Sequence, residues 1–184
     1  MRAQDADPPY KFPRHVRVIE SAIPSGMSVP QVTIEIASRV EAGQILSSPQ
    51  RCAEVNCLLS IGADNDQLPD GYDNVANKLR LLVNDVVTEE GATENDVLQI
   101  VSLAESLRTA NGKVLIHCEA GVSRSPAAAL IMYACWLGPG REQEAIERVL
   151  AQRPLAIPNM RMVELADKLL ARGGRLVGVL SDPV

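Results

Sequence analysis

Polar and apolar positions alternate from His15 to Glu20 and again from Gln31 to Ile36, the pattern of half-buried strands. Between them, Ile23-Pro24-Ser25-Gly26 is a turn signal. Residues 54–61 (EVNCLLSI) make a compact apolar run that predicts a strand, ended by Gly62 and the polar stretch 63–71. A shorter strand is predicted over 79–83, followed at once by Asn84-Asp85. Thr93 opens a T-x-x-D capping pattern, and Val97, Ile100, Val101 and Ala104 then recur at helical spacing. Asn111-Gly112 reads as the stop of that helix. Residues 113–117 (KVLIH) have no polar residue in their middle, as a central strand covered on both faces requires. After a polar loop, Pro126 is placed to open a helix reaching Leu137, apolar nearly all round and therefore buried. Ala145, Ile146, Val149 and Leu150 mark an amphipathic helix. Met162, Leu165, Ala166, Leu169 and Leu170 mark the last one, ended by Gly173-Gly174.

Strands early and helices interleaved later predict a single α/β domain, with a central, mostly parallel twisted sheet flanked by helices. Residues 1–13, with Asp7-Pro8-Pro9, Pro13 and mixed charge, read as a loose N-terminal arm ahead of a domain over 14–184. Composition narrows the class. Of 184 residues, 46% are hydrophobic and 22% charged, which excludes a disordered or collagen-like chain. Trp136 is the only Trp and Phe12 the only Phe, so the core must be aliphatic. A net charge of −5 argues against a broad basic surface for nucleic acid. The longest apolar run, 126–137, falls short of the ~20 residues that a bilayer span needs. The opening MRAQDADPPYKFPRH has no apolar stretch of the signal-peptide kind. The expectation is a cytoplasmic protein with neither nucleic acid nor membrane as partner, its oligomeric state open. Cys52, Cys57, Cys118 and Cys135 form no C-x-x-C pair, and with His15 and His117 the only histidines no metal site is expected. Cys135 reads as a small buried hydrophobe.

The candidate chemistry lies between the 113–117 strand and the buried helix, in His117-Cys118-Glu119-Ala120-Gly121-Val122-Ser123-Arg124-Ser125. A strand end followed by a helix N-terminus aims several backbone N–H groups at one point, and the helix dipole adds positive potential there. The backbone of Glu119, Ala120, Gly121, Val122 and Ser123 can therefore bind a phosphate, with Gly121 letting it curl tightly. Arg124, six residues after Cys118, can hold two phosphate oxygens with its planar fork. The same donors favour the Cys118 thiolate, the nucleophilic form. Cys and Arg at this spacing alone are a weak signal. The His before the Cys, the Gly third after it and the Ser seventh after it make the set specific.

HCEAGVSRS resembles the signature loop HCxxGxxRS of the cysteine-dependent protein tyrosine phosphatases, and the short chain is similar to their dual-specificity branch. The likeness runs from about Val55 to Gly174, while residues 1–50 show nothing of it beyond plausible strands. Low-molecular-weight phosphatases and arsenate reductases differ in carrying the motif near the N-terminus, and rhodaneses have a shorter loop. The resemblance implies that Cys118 forms a phosphocysteine and Arg124 clamps the phosphate. It implies too that Ser125 helps the thiolate leave and that His117 tunes the Cys from behind. The leaving oxygen needs a general acid on a separate loop. Asp85 is the candidate: it follows the 79–83 strand and precedes Cys118 by 33 residues, much as the acid of dual-specificity members does. The alternative for Asp85 is a turn-forming Asn-Asp pair, with Asn84 shaping the turn. Asp96 reads as a helix cap, and Asp73 lies at the wrong end of its strand. Pro158-Asn159 resembles a pair that precedes the family's last helix, where the Asn orients a loop or water; an N-cap is the alternative. The family places the strand of Cys57 near the active centre. A protective Cys57–Cys118 disulfide is one reading and plain buried packing the other.

The implied activity is hydrolysis of phosphate monoesters, foremost phosphotyrosine or mixed phosphotyrosine, phosphoserine and phosphothreonine in proteins. No cofactor is implied. A small phosphate ester is the alternative substrate, and a phosphate-binding pseudophosphatase without turnover is the alternative class. Glu119 inside the loop disfavours highly charged substrates such as phosphoinositides by like-charge repulsion, and the acidic balance speaks against RNA triphosphates. Tyr72 sits on a plausible surface loop, whereas Tyr133 lies on the buried helix, so no aromatic wall for phosphotyrosine is assured.

Overall fold

The computed structural model describes residues 31–181. The predicted arm over 1–13, the strand over 15–20 and the turn over 23–26 lie outside them. Within them the chain forms one α/β domain. Its elements are β1 (Gln31–Ser38), α1 (Arg39–Leu46), α2 (Pro49–Ala53), β2 (Val55–Gly62), a 3-10 turn (Tyr72–Asn74), β3 (Lys78–Leu82), α3 (Glu94–Ser106), β4 (Asn111–Cys118), α4 (Arg124–Leu137), α5 (Glu142–Gln152), α6 (Met160–Leu169) and α7 (Arg175–Gly178). The four strands run parallel in the order β1-β4-β2-β3, so the KVLIH strand is central, paired on both sides.

Alternation along the strands divides the core in two. Ile34, Ile36, Leu59, Ile61, Val114 and Ile116 face the larger cluster, built with α3, α4, α5 and α6. Ala37, Leu58 and Leu115 face the smaller one, completed by Ala42, Ile45 and Leu46 of α1. All 14 residues of α4 are buried, which is why its sequence is apolar on every side. Trp136 satisfies its indole N–H on Ala104 O at 2.8 Å, tying α4 to α3. Among the described residues, no helix is long and apolar enough to cross a membrane.

Three expectations are corrected. Asn111-Gly112 does not stop α3, which ends at Ser106 with the Leu107 N–H bonded back to Leu103 and Ala104. The pair instead opens β4, where Gly112 takes φ +111° and Asn56 packs so close that a Cβ there would meet its Oδ1 at 1.9 Å. Helix α4 begins at Arg124, two residues before Pro126. Proline is tolerated in that first turn because its missing N–H would have had no intrahelical partner. Finally, α1 and α2 fill a stretch for which only the strand ahead of them was expected. Ser38 and Glu41 cap α1 reciprocally, Ser38 N–H donating to Glu41 Oε2 at 2.7 Å.

Candidate active site

His117 and Cys118 end β4, and residues 119–123 turn the chain into α4. The turn is tight because Gly121 takes φ +72°, and a Cβ on it would stand 2.8 Å from Ser38 N and 2.9 Å from Ala37 C. Both ends of the loop are fixed by backbone bonds. Arg39 N–H donates to Glu119 O at 3.1 Å, Ile157 N–H to Val122 O at 2.8 Å and Asn159 N–H to Ser123 O at 3.2 Å. Arg39 Nε also pairs with the Glu119 carboxylate at 2.9 Å. Ser123 precedes α4 without capping it, so its hydroxyl leaves the first-turn N–H groups uncovered.

Cys118 is buried, its Sγ 3.1 Å from Ser125 Oγ, which also lies 3.4 Å from Ala37 O. Arg124 is buried as well. Its Nη1 donates to Val83 O at 2.9 Å and approaches Asp66 Oδ2 at 3.4 Å. Its Nε lies 3.5 Å from Asp85 Oδ2 without a bonding alignment, which leaves a buried guanidinium N–H with no protein acceptor. A buried cationic donor of this kind calls for an acceptor, which an anion would supply.

Asp85 reaches this centre from the loop after β3. Its Oδ1 accepts from Ser123 Oγ at 2.6 Å and from Asn159 Nδ2 at 3.0 Å, so Oδ2 alone stays without a hydrogen bond. Asn84 shapes the same loop through Nδ2 to Glu90 O at 3.1 Å. The rival carboxylates stand elsewhere: Asp96 caps Thr93 at 2.9 Å, and Asp73 is exposed and paired with Lys78. Asn159 plays two parts, with Oδ1 capping α6 on Met162 N–H at 3.2 Å while Nδ2 holds Asp85 and Val86 O.

The expected residues thus meet around one point. One further residue, Asp66, was not read from the sequence. It closes a turn on Ala63 N–H at 2.7 Å, which together with Arg124 holds its carboxyl below the usual range. The only signal for it was a polar run following a strand that ends on the same edge as the signature loop.

His117 is buried behind Cys118, opposite Ser60 across the sheet. Neither ring nitrogen has a hydrogen-bond partner, and burial pushes its pKa down to about 4 against the opposing pull of the Cys118 backbone. Cys57 pairs in register with Val114, four residues short of Cys118. At ~3.3 Å per residue that is roughly 13 Å, well beyond the ~7 Å Cα separation a disulfide bridges. The disulfide reading is therefore set aside. Cys57 is a buried thiol whose pKa desolvation raises to about 11, and Cys135 is another, raised to about 12. Tyr72 is half-buried under Lys78 and packs on the α1 side of the sheet.

Residues 47–167 match the family model described as dual specificity phosphatase, catalytic domain. Rat dual specificity protein phosphatase 15 is 36% identical over 81 residues, covering 44% of this chain and 33% of that protein. The chain thus spans about a third of the length of this curated relative. The fold is similar to crystal structures of a human DUSP28 variant and of Tk-PTP in its active form. The first has a TM-score of 0.59 at 21% identity, covering 77% of this chain and 90% of the other. The second has a TM-score of 0.58 at 20% identity, covering 81% and 98%. The matched stretch takes in β2 to β4, the signature loop and almost all of α6, and on that ground this chain belongs to the dual specificity phosphatase catalytic-domain family.

Proposed function

We propose that the chain hydrolyses phosphate monoesters in proteins, phosphotyrosine or phosphotyrosine together with phosphoserine and phosphothreonine, through a phosphocysteine intermediate. The Cys118 thiolate attacks phosphorus in line with the ester oxygen, and the P–O bond breaks as the S–P bond forms. Asp85 gives its proton from Oδ2 to the departing alcohol or phenol. The loop N–H groups and the free donors of Arg124 hold the three non-bridging oxygens, most tightly when the phosphoryl group is flat. Water then attacks phosphorus, its proton passing to Asp85. Sulfur leaves as thiolate with the Ser125 hydroxyl donating to it, and inorganic phosphate departs. No step calls on a cofactor.

The observation that carries this reading is the buried Arg124 N–H without a protein acceptor, facing the one Asp85 oxygen left free. A cytoplasmic site of action belongs to the same proposal, supported by the four cysteines standing as free thiols.

Hydrolysis of para-nitrophenyl phosphate from pH 5 to 8, with wild type and Cys118→Ser, with and without vanadate and EDTA, tests it. Cys-dependent, vanadate-sensitive, EDTA-insensitive turnover is expected. A folded, reduced wild type that binds vanadate and turns nothing over would make the protein a phosphate-binding module instead.

A further inference from the structure

Three loops frame the mouth of the phosphate site: residues 84–92 after β3, residues 119–123, and residues 154–159 before α6. Hydrogen bonds hold them edge to edge. Val122 O accepts from Ile157 N–H, Ser123 O from Asn159 N–H, and Val86 O from Asn159 Nδ2. Along these edges stand Val86, Val87, Val122, Leu155 and Ile157, which are five of the nine large apolar side chains exposed among the described residues. Leu155 and Ile157 are 85% and 74% exposed, so neither is a core residue that merely reaches the surface. The other four, Val40, Leu68, Leu82 and Leu169, are scattered singly over α1, β3, α6 and the loop after β2.

Charge on the same loops has one sign. They carry Asp85, Glu89, Glu90 and Glu119 and no Lys or Arg. The neighbouring cations are turned to other partners: Arg39 to Glu119, Arg80 to Ser60 Oγ and Ala63 O, and Arg161 to Ala92 O. Among the described residues Arg124, at the bottom, is the cation whose buried Nε is left without an acceptor to meet the phosphate. An anionic bilayer or a multiply phosphorylated head group brings further negative charge against Glu89 and Glu90, and against Glu119 as far as Arg39 leaves its charge uncovered, which like-charge repulsion penalises.

From this apolar and acidic rim we infer that the site takes a phosphorylated protein segment with bulky apolar residues beside the phosphorylated one and basic rather than acidic residues beyond them. The inference rests on the phosphatase reading above and deepens it by naming the substrate class. The apolar neighbours gain by leaving water against Val122, Leu155 and Ile157, and the basic ones by facing Glu89, Glu90 and Glu119.

The test uses three phosphotyrosyl peptides of equal length. The first has Leu or Ile beside the phosphotyrosine and Lys further out, the second has Ser and Gly throughout, and the third has Asp and Glu. Turnover of each is read as kcat/KM relative to para-nitrophenyl phosphate. The first is expected to exceed the second by about tenfold, the scale of one or two well-buried side chains. The third should fall below the second, by a margin that shrinks as salt rises from about 50 to 500 mM. In Leu155→Ser/Ile157→Ser protein with an unchanged denaturation midpoint, the advantage of the first over the second should shrink to about twofold or less. Equal rates on the three peptides would overturn the inference. So would turnover of a phosphoinositide in anionic vesicles that outpaces the first peptide. If para-nitrophenyl phosphate itself is not turned over, the phosphatase reading fails separately, and calorimetric titration of the three peptides decides the rim, equal affinities overturning it.

Discussion

Asn159 donates its side-chain amide to Asp85 Oδ1 at 3.0 Å, across 74 residues of sequence, while Ser123 Oγ donates to the same oxygen. Two donors on Oδ1 leave Oδ2 free, the oxygen that in the proposed mechanism would carry the proton to the leaving group. Asn159→Ser keeps an N-cap for α6 but gives up the bonds to Asp85 and Val86 O, so folding stability should fall by only about 1–2 kcal/mol. It removes the amide donor to Asp85. Turnover of phosphotyrosine should then fall about tenfold and that of para-nitrophenyl phosphate much less, because a good leaving group needs little protonation. In Asp85→Asn protein the added Asn159→Ser should cost almost nothing more, since both act through one proton. Equal slowing of both substrates by Asn159→Ser would remove Asn159 from the acid's support.

Much of this centre could be read along the chain because its chemistry sits on short, local patterns. Cys118, Gly121, Arg124 and Ser125 lie within eight consecutive residues between a strand and a helix whose apolar periodicities are plain. That Asp85 stands beside Arg124 agrees with its place just after a strand. Asp66 was not legible, since nothing local separates it from Asp64 or Asp70. Only the turn onto Ala63 N–H brings it to Arg124, 58 residues away. The Cys57 disulfide failed for a related reason. Membership of neighbouring strands is visible in a sequence, whereas the register that sets Cys57 opposite Val114 is a property of the assembled sheet. Asn111-Gly112 misled because an Asn-Gly pair suits a helix stop and a strand entry equally, and packing against Asn56 decided between them.

Ser125 Oγ has one proton and two acceptors in reach, Cys118 Sγ at 3.1 Å and Ala37 O at 3.4 Å. In the proposed second step the departing thiolate is the stronger acceptor and receives that hydrogen bond. Ser125→Ala should therefore slow breakdown of the phosphoenzyme about tenfold or more and leave its formation nearly intact. Stopped-flow release of para-nitrophenol should show a burst of about one equivalent followed by a slow phase. A variant that is slow with no burst would place Ser125 in the first step.

Asp66 approaches Arg124 Nη1 at 3.4 Å, whereas Val83 O holds the same nitrogen at 2.9 Å. The carbonyl is the closer anchor, so the carboxylate acts mainly as a negative charge beside the clamp. Removing that charge in Asp66→Asn should tighten competitive inhibition by vanadate about threefold to tenfold at low salt. The gain should fade at ~1 M salt, and kcat should stay within about twofold. Weaker inhibition would show instead that Asp66 anchors the guanidinium.

His117 links the site to acid stability. Its ring is buried without a partner, with Arg80 and Arg39 opposing its protonation and Glu119 favouring it, and its pKa stands at about 4 against 6.5 in an open chain. A base whose folded pKa is depressed contributes stability that is complete above pH 6.5 and is lost as pH falls toward 4. In that window the unfolded chain binds a proton that the folded one refuses. The full loss is on the order of 3 kcal/mol. Glu41, held at about 2 chiefly by Arg153, adds a loss of its own as pH falls through 4.5, the same in wild type and in a His117 variant, so it cancels between them. Urea unfolding of wild type and His117→Gln at pH 7.5 and pH 4.5 measures this. The wild type should lose about 2–3 kcal/mol more than the variant between the two values. Parallel losses would mean that His117 is protonated in the folded protein, with the Cys118 backbone or Glu119 supplying the partner.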